Sequence, residues 1–330
     1  MIDIKMVSIV IPTYKSAINI PVLNERLEKA FVDLNHQYEV IFVNDCSPDN
    51  TLEVLRDISR KNNHLRVISL SRNFGQQIAT SAGLQYANGQ AVIIMDDDLQ
   101  DPPEFIPNLI EKWEQGYEVV YAVRSSRKDG YFKRIGYKLY YKVLNKLSHI
   151  KIPKDSGDFG LIDRKIVDII NNMPERDRFL RGLRAWTGFK QLGIECPRDS
   201  RYKGAPSYNL IKILKLSFDG ILAFSNVPLQ ISSAAGFIVS AIAFIGMFLT
   251  ILQTLMTFIF PDNPLAVWPG FSTIVLSILF LGGVQLISIG ILGEYIARIY
   301  NEVKNRPLFL VQETIGFDEN DDDKNLDELY

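Results

Sequence analysis

Between Asp219 and Glu294 the only charged residue is Asp262. Two apolar stretches flank it, roughly Leu229 to Phe260 and Val267 to Leu292, separated by Pro261-Asp262-Asn263-Pro264. Each exceeds the roughly 20 helical residues that cross a hydrocarbon core of about 30 Å. Apolar runs of this length without a charge rarely form inside a soluble protein, so the pair reads as a transmembrane hairpin. The hairpin region is placed at 227–300, with spans at about 229–260 and 267–295.

Two crossings return the chain to the side it left. Lys203, Lys212 and Lys215 precede the hairpin and Arg298, Lys304 and Arg306 follow it, whereas the connecting loop has no basic residue. The bias of basic residues toward the cytosolic face then puts both termini, and any catalytic domain, in the cytosol against the inner (plasma) membrane. Residues 1–20 lack a secretory apolar core, because Pro12 and Tyr14 interrupt the run from Val7 to Ile11. Residues 208–226 place Leu210, Ile211, Ile213, Leu214, Leu216 and Phe218 among Lys212, Lys215 and Asp219 at roughly helical spacing. That pattern suits an amphipathic helix lying in the lipid interface; a helix packed on its own domain is the alternative. Four regions result: a cytosolic domain over 1–207, the interfacial region 208–226, the hairpin, and a tail over 301–330 with a solvated acidic end.

Averaged over the chain, these differences vanish. Lys plus Arg number 36 against 38 Asp plus Glu, giving a net charge of -2, which offers no footing for nucleic acid. Hydrophobic residues make up 47% and charged residues 22%, which excludes global disorder. Two cysteines, Cys46 and Cys196, cannot build a disulfide scaffold and fit a reducing compartment.

The N-terminal part alternates β-rich runs with helical patterns. Val7 to Ile11, Glu39 to Val43, Arg66 to Leu70, Ala91 to Met95 and Glu118 to Ala122 read as strands. Ile20 to Leu34, Thr51 to Asn62, Gln76 to Ala87 and Phe105 to Gln115 read as helices between them. Near-continuous apolar strands separated by helices imply a parallel sheet covered on both faces. Ligands of such sheets bind beyond the carboxyl ends of the strands. The segments to inspect are therefore Pro12-Thr13-Tyr14, Asn44-Asp45 and Asp96 to Asp101.

Four aspartates, Asp96, Asp97, Asp98 and Asp101, crowd the end of the fourth strand, where packing gives no reason for them. Their repulsion calls for a cation, and hard oxygen ligands select Mg²⁺ or Mn²⁺. Asp101, before Pro102 and Pro103, fits a helix cap instead. In Asn44-Asp45-Cys46-Ser47-Pro48-Asp49-Asn50-Thr51, Asp49 and Asn50 suit capping, whereas Asp45 at the strand tip is placed to accept from a nucleobase or ribose.

Together with Val7-Ser8-Ile9-Val10-Ile11-Pro12-Thr13-Tyr14, these motifs resemble the family 2 glycosyltransferases of GT-A fold. Ser71-Arg72-Asn73-Phe74-Gly75, Asp98-Leu99-Gln100-Asp101-Pro102-Pro103-Glu104, Asp155-Ser156-Gly157-Asp158-Phe159 and the terminal hairpin narrow the resemblance. They are similar to the polyprenyl-phosphate glycosyltransferases, the dolichol-phosphate mannosyltransferase-like group, over nearly the whole chain to about Arg306.

The resemblance implies an α/β protein: a Rossmann-like GT-A domain with a mainly parallel sheet, then interfacial helices and a two-helix membrane hairpin. It implies inverting transfer of a hexose, with glucose the first choice, from a UDP-sugar to a polyprenyl phosphate such as undecaprenyl phosphate. GDP-mannose, UDP-N-acetylhexosamine and an aminoarabinose derivative are the alternative donors. Asp96, Asp98 and Gln100 match the family's metal and diphosphate ligands, and Pro12, Tyr14, Asp45, Asp96 and Asp97 its nucleotide-binding positions. Asp97 stands where a small residue is usual. Asp158 is the expected carboxylate beside the reacting centre, with Asp155 second. Arg124, Arg127, Arg198 and Arg201 are candidates for the acceptor phosphate, whose oxygens suit guanidinium pairs.

A processive polysaccharide synthase is disfavoured, because Arg181-Gly182-Leu183-Arg184-Ala185-Trp186 lacks the Gln-x-x-Arg-Trp pattern of those enzymes. A catalytically dead scaffold is disfavoured by the retained Asp96, Asp98, Arg124 and Asp158. Ser288, Gly290 and Gly293 offer small residues for helix packing in a dimer or tetramer.

Overall fold

The computed structural model describes residues 5–32, 34, 36–124, 156–176, 178–197, 227–259 and 270–317. The interfacial region 208–226, the loop Pro261–Pro264 and the acidic end from Asp318 lie outside these residues.

In chain order the elements are β1 (Met6–Thr13), α1 (Asn19–Phe31), β2 (Gln37–Asn44), α2 (Thr51–Ser59), β3 (Leu65–Leu70), α3 (Gln76–Tyr86) and β4 (Ala91–Ile94). A short 3-10 turn (Pro103–Phe105) leads into α4 (Ile106–Glu114), followed by β5 (Val119–Arg124) and β6 (Ser156–Asp163). Then come α5 (Arg164–Asn171), α6 (Leu180–Trp186) and β7 (Gln191–Cys196). Two long helices, α7 (Val227–Ile259) and α8 (Gly270–Val303), precede a last strand, β8 (Val311–Ile315).

The eight strands form one sheet in the order β7-β5-β6-β4-β1-β2-β3-β8. Strands β1 to β5 and β7 run one way, while β6 and β8 run against their neighbours. The expected five strands are present and the sheet is mainly parallel. Pro12 does not end β1, which continues to Thr13 in register with Asn44. A proline so near a strand's end forfeits one donor while its fixed φ still suits an extended backbone.

Helical periodicity faces the sheet. Ile20, Leu23, Leu27 and Phe31 of α1, and Ile106, Leu109, Ile110 and Trp113 of α4, are buried at steps of three and four residues. They pack on Val7, Ile9, Ile11, Phe42 and Ile93 in one continuous core. Helix α3 covers the opposite face, where Gly83 lies against Val10 and Val43. Burying a Leu, Ile or Phe side chain contributes about 1.5–3 kcal/mol, so cover on both faces fixes the register of each strand.

The two long helices make a second compact unit, distinct from the one that holds the strands. Both carry windows long and apolar enough to cross a membrane, Leu229–Gly246 and Phe280–Val303, with none of either window buried. Helix α8 continues past the apolar span predicted to end near 295, and Glu294 pairs with Arg298 one turn on at 3.4 Å. Such i,i+4 pairs sustain a helix after its apolar stripe ends.

Strand β8 is the element the sequence did not announce. After α8 the chain adds an antiparallel edge strand to β3, with Val67 opposite Ile315 and Leu70 opposite Val311. Phe309 is 1% exposed, and Arg56 holds Glu313 by hydrogen bonds of 2.7 Å to both carboxylate oxygens. Residues between 301 and 330 are thus partly built into the sheet.

Candidate active site

The sheet directions decide which side chains meet. Strands β1, β2, β3, β4, β5 and β7 all end at one edge, and β6, running the other way, begins there. The acid run after β4 and Asp158 near the start of β6 therefore share an edge, with Ile94 directly opposite Gly160.

Backbone strain gathers at the same edge. Of the four non-glycine residues with positive φ among the described residues, Lys15 follows β1, Cys46 follows β2 and Leu99 follows β4. Left-handed conformations are unfavourable for such side chains and recur where surrounding structure enforces a functional turn. At Leu99 the turn is held by Asp98, whose Oδ1 accepts from the Gln100 backbone N–H at 3.1 Å.

The carboxylates have separate surroundings. Asp45 is 3% exposed and accepts from the backbone N–H of Phe74 at 2.7 Å and of Gly75 at 2.9 Å. It thereby caps the positive end of α3 from another strand. Gly75, at φ 96, turns the chain into that helix in a conformation glycine adopts freely. Asn73 Nδ2 also donates to the Asp45 carbonyl at 3.2 Å. Asn73, Phe74 and Gly75 of the Ser71–Gly75 motif are in this way folded around Asp45.

Asp96 Oδ1 accepts from Gln76 Nε2 at 2.7 Å. Burial, and then the charges of Asp101, Asp158, Asp98 and Asp97, push the Asp96 carboxyl well above the usual carboxylate range. Asp97 turns instead toward the loop after β1. Burial pushes its carboxyl up to about 6, opposed by hydrogen bonds from the Ser16 hydroxyl and the Tyr14 backbone and reinforced by the charge of Asp98. Asp98 and Asp101 complete an acid cluster around Asp96, where a cation would relieve the repulsion.

Across the edge, Asp158 is gripped by Arg181, Nε to Oδ1 at 2.7 Å and Nη2 to Oδ2 at 2.9 Å. Arg184 lies beside it, 4% exposed, with its guanidinium 5.0 Å from the Tyr121 ring centroid. Burial lowers the Arg184 pKa to about 10, with Asp158 opposing and Arg181 adding to the shift, so it remains a cation at neutral pH. Gln77, Thr80, Ile94, Asp158, Ile162, Leu180, Arg181 and Arg184 line one small cavity.

Among the described residues no three His, Cys, Asp or Glu side chains converge to form a complete metal shell. A hard divalent ion that keeps waters and borrows substrate phosphate oxygens needs only one or two carboxylates. Asp96 and Asp98 meet that requirement.

Comparison with known proteins decides the family. The family model described as "Glycosyl transferase family 2" matches residues 8–170, spanning β1, the acid edge and β6. An uncharacterized glycosyltransferase, YkcC, of Bacillus subtilis strain 168 is 44% identical over 312 residues, covering 94% of each chain. The chain belongs to glycosyltransferase family 2. The SfII prophage-derived bactoprenol glucosyl transferase of Shigella flexneri is 40% identical over 310 residues, covering 93% of this chain and 98% of that one. Among solved structures, glucosyl-3-phosphoglycerate synthase from Mycobacterium tuberculosis matches at TM-score 0.45 and 18% identity, covering 66% of this chain and 78% of that chain.

In this family 2 glycosyltransferase, Pro12 lies near the end of β1, and Tyr14, Asp45, Asp96, Asp97, Asp98 and Gln100 follow β1, β2 or β4, all at one edge. Pro12 is buried in β1 and Tyr14 is 45% exposed beyond it. Asp158 meets the acid cluster from β6. Arg124 ends β5 opposite Cys196. Asp155, Arg127, Arg198 and Arg201 lie outside the described residues. Arg181 and Arg184 were missed as site residues. In sequence their segment shows only the departure from the synthase motif, although two arginines three residues apart on a short helix share a face.

Proposed function

We propose that the enzyme transfers glucose from UDP-glucose to a polyprenyl phosphate in the membrane, releasing UDP. The observation that carries this reading is Asp96, crowded by Asp97, Asp98, Asp101 and Asp158 at the strand edge of a chain that also holds two membrane-length helices. A soluble site of concentrated acid suits a metal-bound nucleotide diphosphate, and the helices suit an acceptor that never leaves the bilayer. Relatives named bactoprenol glucosyl transferase, in Shigella flexneri and in Shigella phage SfV, support glucose and this lipid class. We place the catalytic domain and both termini in the cytosol, on the distribution of basic residues around the hairpin.

An acceptor phosphate oxygen attacks the anomeric carbon as the bond to the nucleotide diphosphate breaks, so one displacement inverts the centre. Asp96, Asp98 and Gln100 would hold Mg²⁺ or Mn²⁺, whose charge would stabilise the leaving diphosphate. Asp45 fixes the Ser71–Gly75 loop at the nucleotide end while Pro12 and Tyr14 frame the nucleoside. Asp158, held in one orientation by both arms of Arg181, orients the reacting groups. A strong base is not needed there, because a phosphate monoester with a second pKa near 6 is largely dianionic at neutral pH. Arg124, Arg127, Arg198 and Arg201 are assigned to the incoming lipid phosphate, and Arg184 adds fixed positive charge beside Asp158.

The test is full-length protein in detergent micelles with radiolabelled UDP-glucose, undecaprenyl phosphate and MnCl₂ or MgCl₂. Label entering butanol-extractable lipid is expected, and Asp96→Asn should lower the rate at least about 100-fold, the scale of a lost electrostatic contact to the leaving group. Label in water-soluble polymer, or transfer from another nucleotide sugar alone, overturns the assignment. Without substrate, MnCl₂ should raise the Tm of the wild type and leave that of Asp96→Asn unchanged.

A further inference from the structure

The transfer site has two halves on different segments: the acid edge after β4, and Asp158 with α6. We infer that Gln76 and Gln77, adjacent at the head of α3, are paired positioning residues that hold these halves in register. The inference rests on the functional reading above, which puts the donor at Asp96 and the reacting centre at Asp158.

The two amides bond in opposite senses to different halves. Gln76 Nε2 donates to Asp96 Oδ1 at 2.7 Å, and Gln77 Oε1 accepts from the Leu180 backbone N–H at 3.0 Å. Neighbouring residues of a helix project about 100° apart, so one helix end reaches two places at once. Leu180 opens α6, and the next residue, Arg181, is the one that grips Asp158. Gln77, Leu180, Arg181 and Asp158 also line the same small cavity. The path from Asp96 to Asp158 therefore runs through two consecutive side chains of one helix.

The helix that bears them is rigidly seated. Asp45 caps its first turn through Phe74 and Gly75. Thr80 and Ser81 return their hydroxyls to the carbonyls of Gln76 and Gln77 at 2.8 and 2.9 Å. Gly83 lets α3 lie against the sheet, since a Cβ there would meet Val10 Cγ1 at 2.3 Å.

The residue types follow from the charge at each end. Asp96 already faces Asp97, Asp98, Asp101 and Asp158. A neutral amide donor fixes its rotamer without the competing charge that a lysine would bring. An amide N–H can only donate to a carboxylate, and the Leu180 N–H can only donate to Gln77, so both roles are chemically determined. Glutamate at 76 would lose its bond and add repulsion, whereas glutamate at 77 would keep an accepting oxygen.

That asymmetry is the test. Q76A, Q76E, Q77A and Q77E are purified full-length in micelles, and kcat and KM for UDP-glucose are measured with undecaprenyl phosphate saturating, alongside Tm. Q76A is expected to lower kcat/KM about tenfold and Q76E further, the scale of a lost hydrogen bond to a charged group. Q77A is expected to lower kcat several-fold with KM little changed, and Q77E to restore it to within about twofold. Tm should stay within a few degrees throughout. Equal loss in Q77A and Q77E, or wild-type rates in Q76E, overturns the inference. If the wild type transfers no sugar, the functional reading fails instead, and hydrogen exchange at α6 still decides the joint. Exchange should quicken in Q77A and not in Q77E; identical exchange in both overturns it.

Discussion

Strand β1 and helix α7 are made of much the same residues and keep them in opposite surroundings. Val7, Ile9, Val10 and Ile11 are 0% exposed, whereas Phe237 is 79%, Ile242 64% and Phe244 67% exposed. The difference lies in the backbone. A strand pairs its N–H and C=O groups only with neighbouring strands, so its apolar side chains arrive inside a sheet already flanked by helices. A helix satisfies its own backbone and can present apolar side chains to lipid. Hydrophobicity says that a segment avoids water; length and hydrogen bonding say whether protein or bilayer replaces it.

The most severe way to break this comparison is to put one charge in each region. Ile9→Asp buries a carboxylate between strands with no partner, and we expect the sheet domain not to fold in any detergent, read as loss of its near-ultraviolet circular dichroism signal. Phe244→Asp costs about 3–4 kcal/mol of membrane insertion, the Asp penalty plus the lost Phe contribution. It should leave the sheet domain folded while the chain moves toward the soluble fraction after membrane extraction. A Phe244→Asp chain that stays fully in the membrane fraction would show that this face of α7 does not meet lipid.

The regimes change within a few residues. Val303, at the end of α8, is 75% exposed, and Phe309 is 1% exposed. Phe309→Ala should cost about 3–5 kcal/mol of stability through the cavity it leaves, and Val303→Ala less than about 0.5 kcal/mol. Urea unfolding followed by near-ultraviolet circular dichroism separates the two. Equal effects would mean that the segment after α8 is not packed into the sheet.

That segment marks where legibility in the sequence ends. Strands β1 to β5 and their helices were readable because each is a local apolar run bounded by turn residues, and the membrane helices because charge is missing for so long. The acid edge was readable because Asp96 and Asp98 have no packing reason to sit there. Strand β6 carries Gly157, Asp158 and Gly160 in a row that no apolar alternation reveals. β8 pairs with β3 from the far side of the hairpin, and long-range pairing leaves no local trace. Arg181 and Arg184 needed the sheet direction: only an antiparallel β6 brings Asp158 to the edge where α6 can hold it. The sequence marks Asp45 as a strand tip, but its clasp on the Phe74 and Gly75 amides depends on the loop after β3.

Glycines sharpen the contrast at smaller scale. A Cβ on Gly160 would lie 2.7 Å from the Val120 carbonyl oxygen and 2.9 Å from Tyr121 Cα, both backbone atoms of the paired strand. At Gly290 nothing lies within 4 Å. Gly160→Ala should cost about 1–3 kcal/mol, because the backbone cannot step aside as a side chain can. Gly290→Ala should leave Tm unchanged in dilute micelles. If Gly290→Ala instead shifts the oligomer distribution in light scattering, the open space on α8 is filled by another copy of the chain, as its small-residue stripe with Ser288 and Gly293 allows.

The smallest expected effect is at the edge strand itself. Arg56 and Glu313 are 42% and 31% exposed in their side chains, so solvent screens their pairing, which should contribute little and weaken with salt. Glu313→Ala should therefore lower stability slightly at low ionic strength and hardly at all at 1 M NaCl. The doubly exchanged chain, Arg56→Glu with Glu313→Arg, should recover most of the loss. The Leu310 carbonyl accepts from the Ser71 N–H at 2.9 Å, at the start of the loop that closes on Asp45. Failure of the exchange, together with a raised KM for the donor in Glu313→Ala, would show that the strand after the membrane helices steadies the nucleotide loop as well as the sheet.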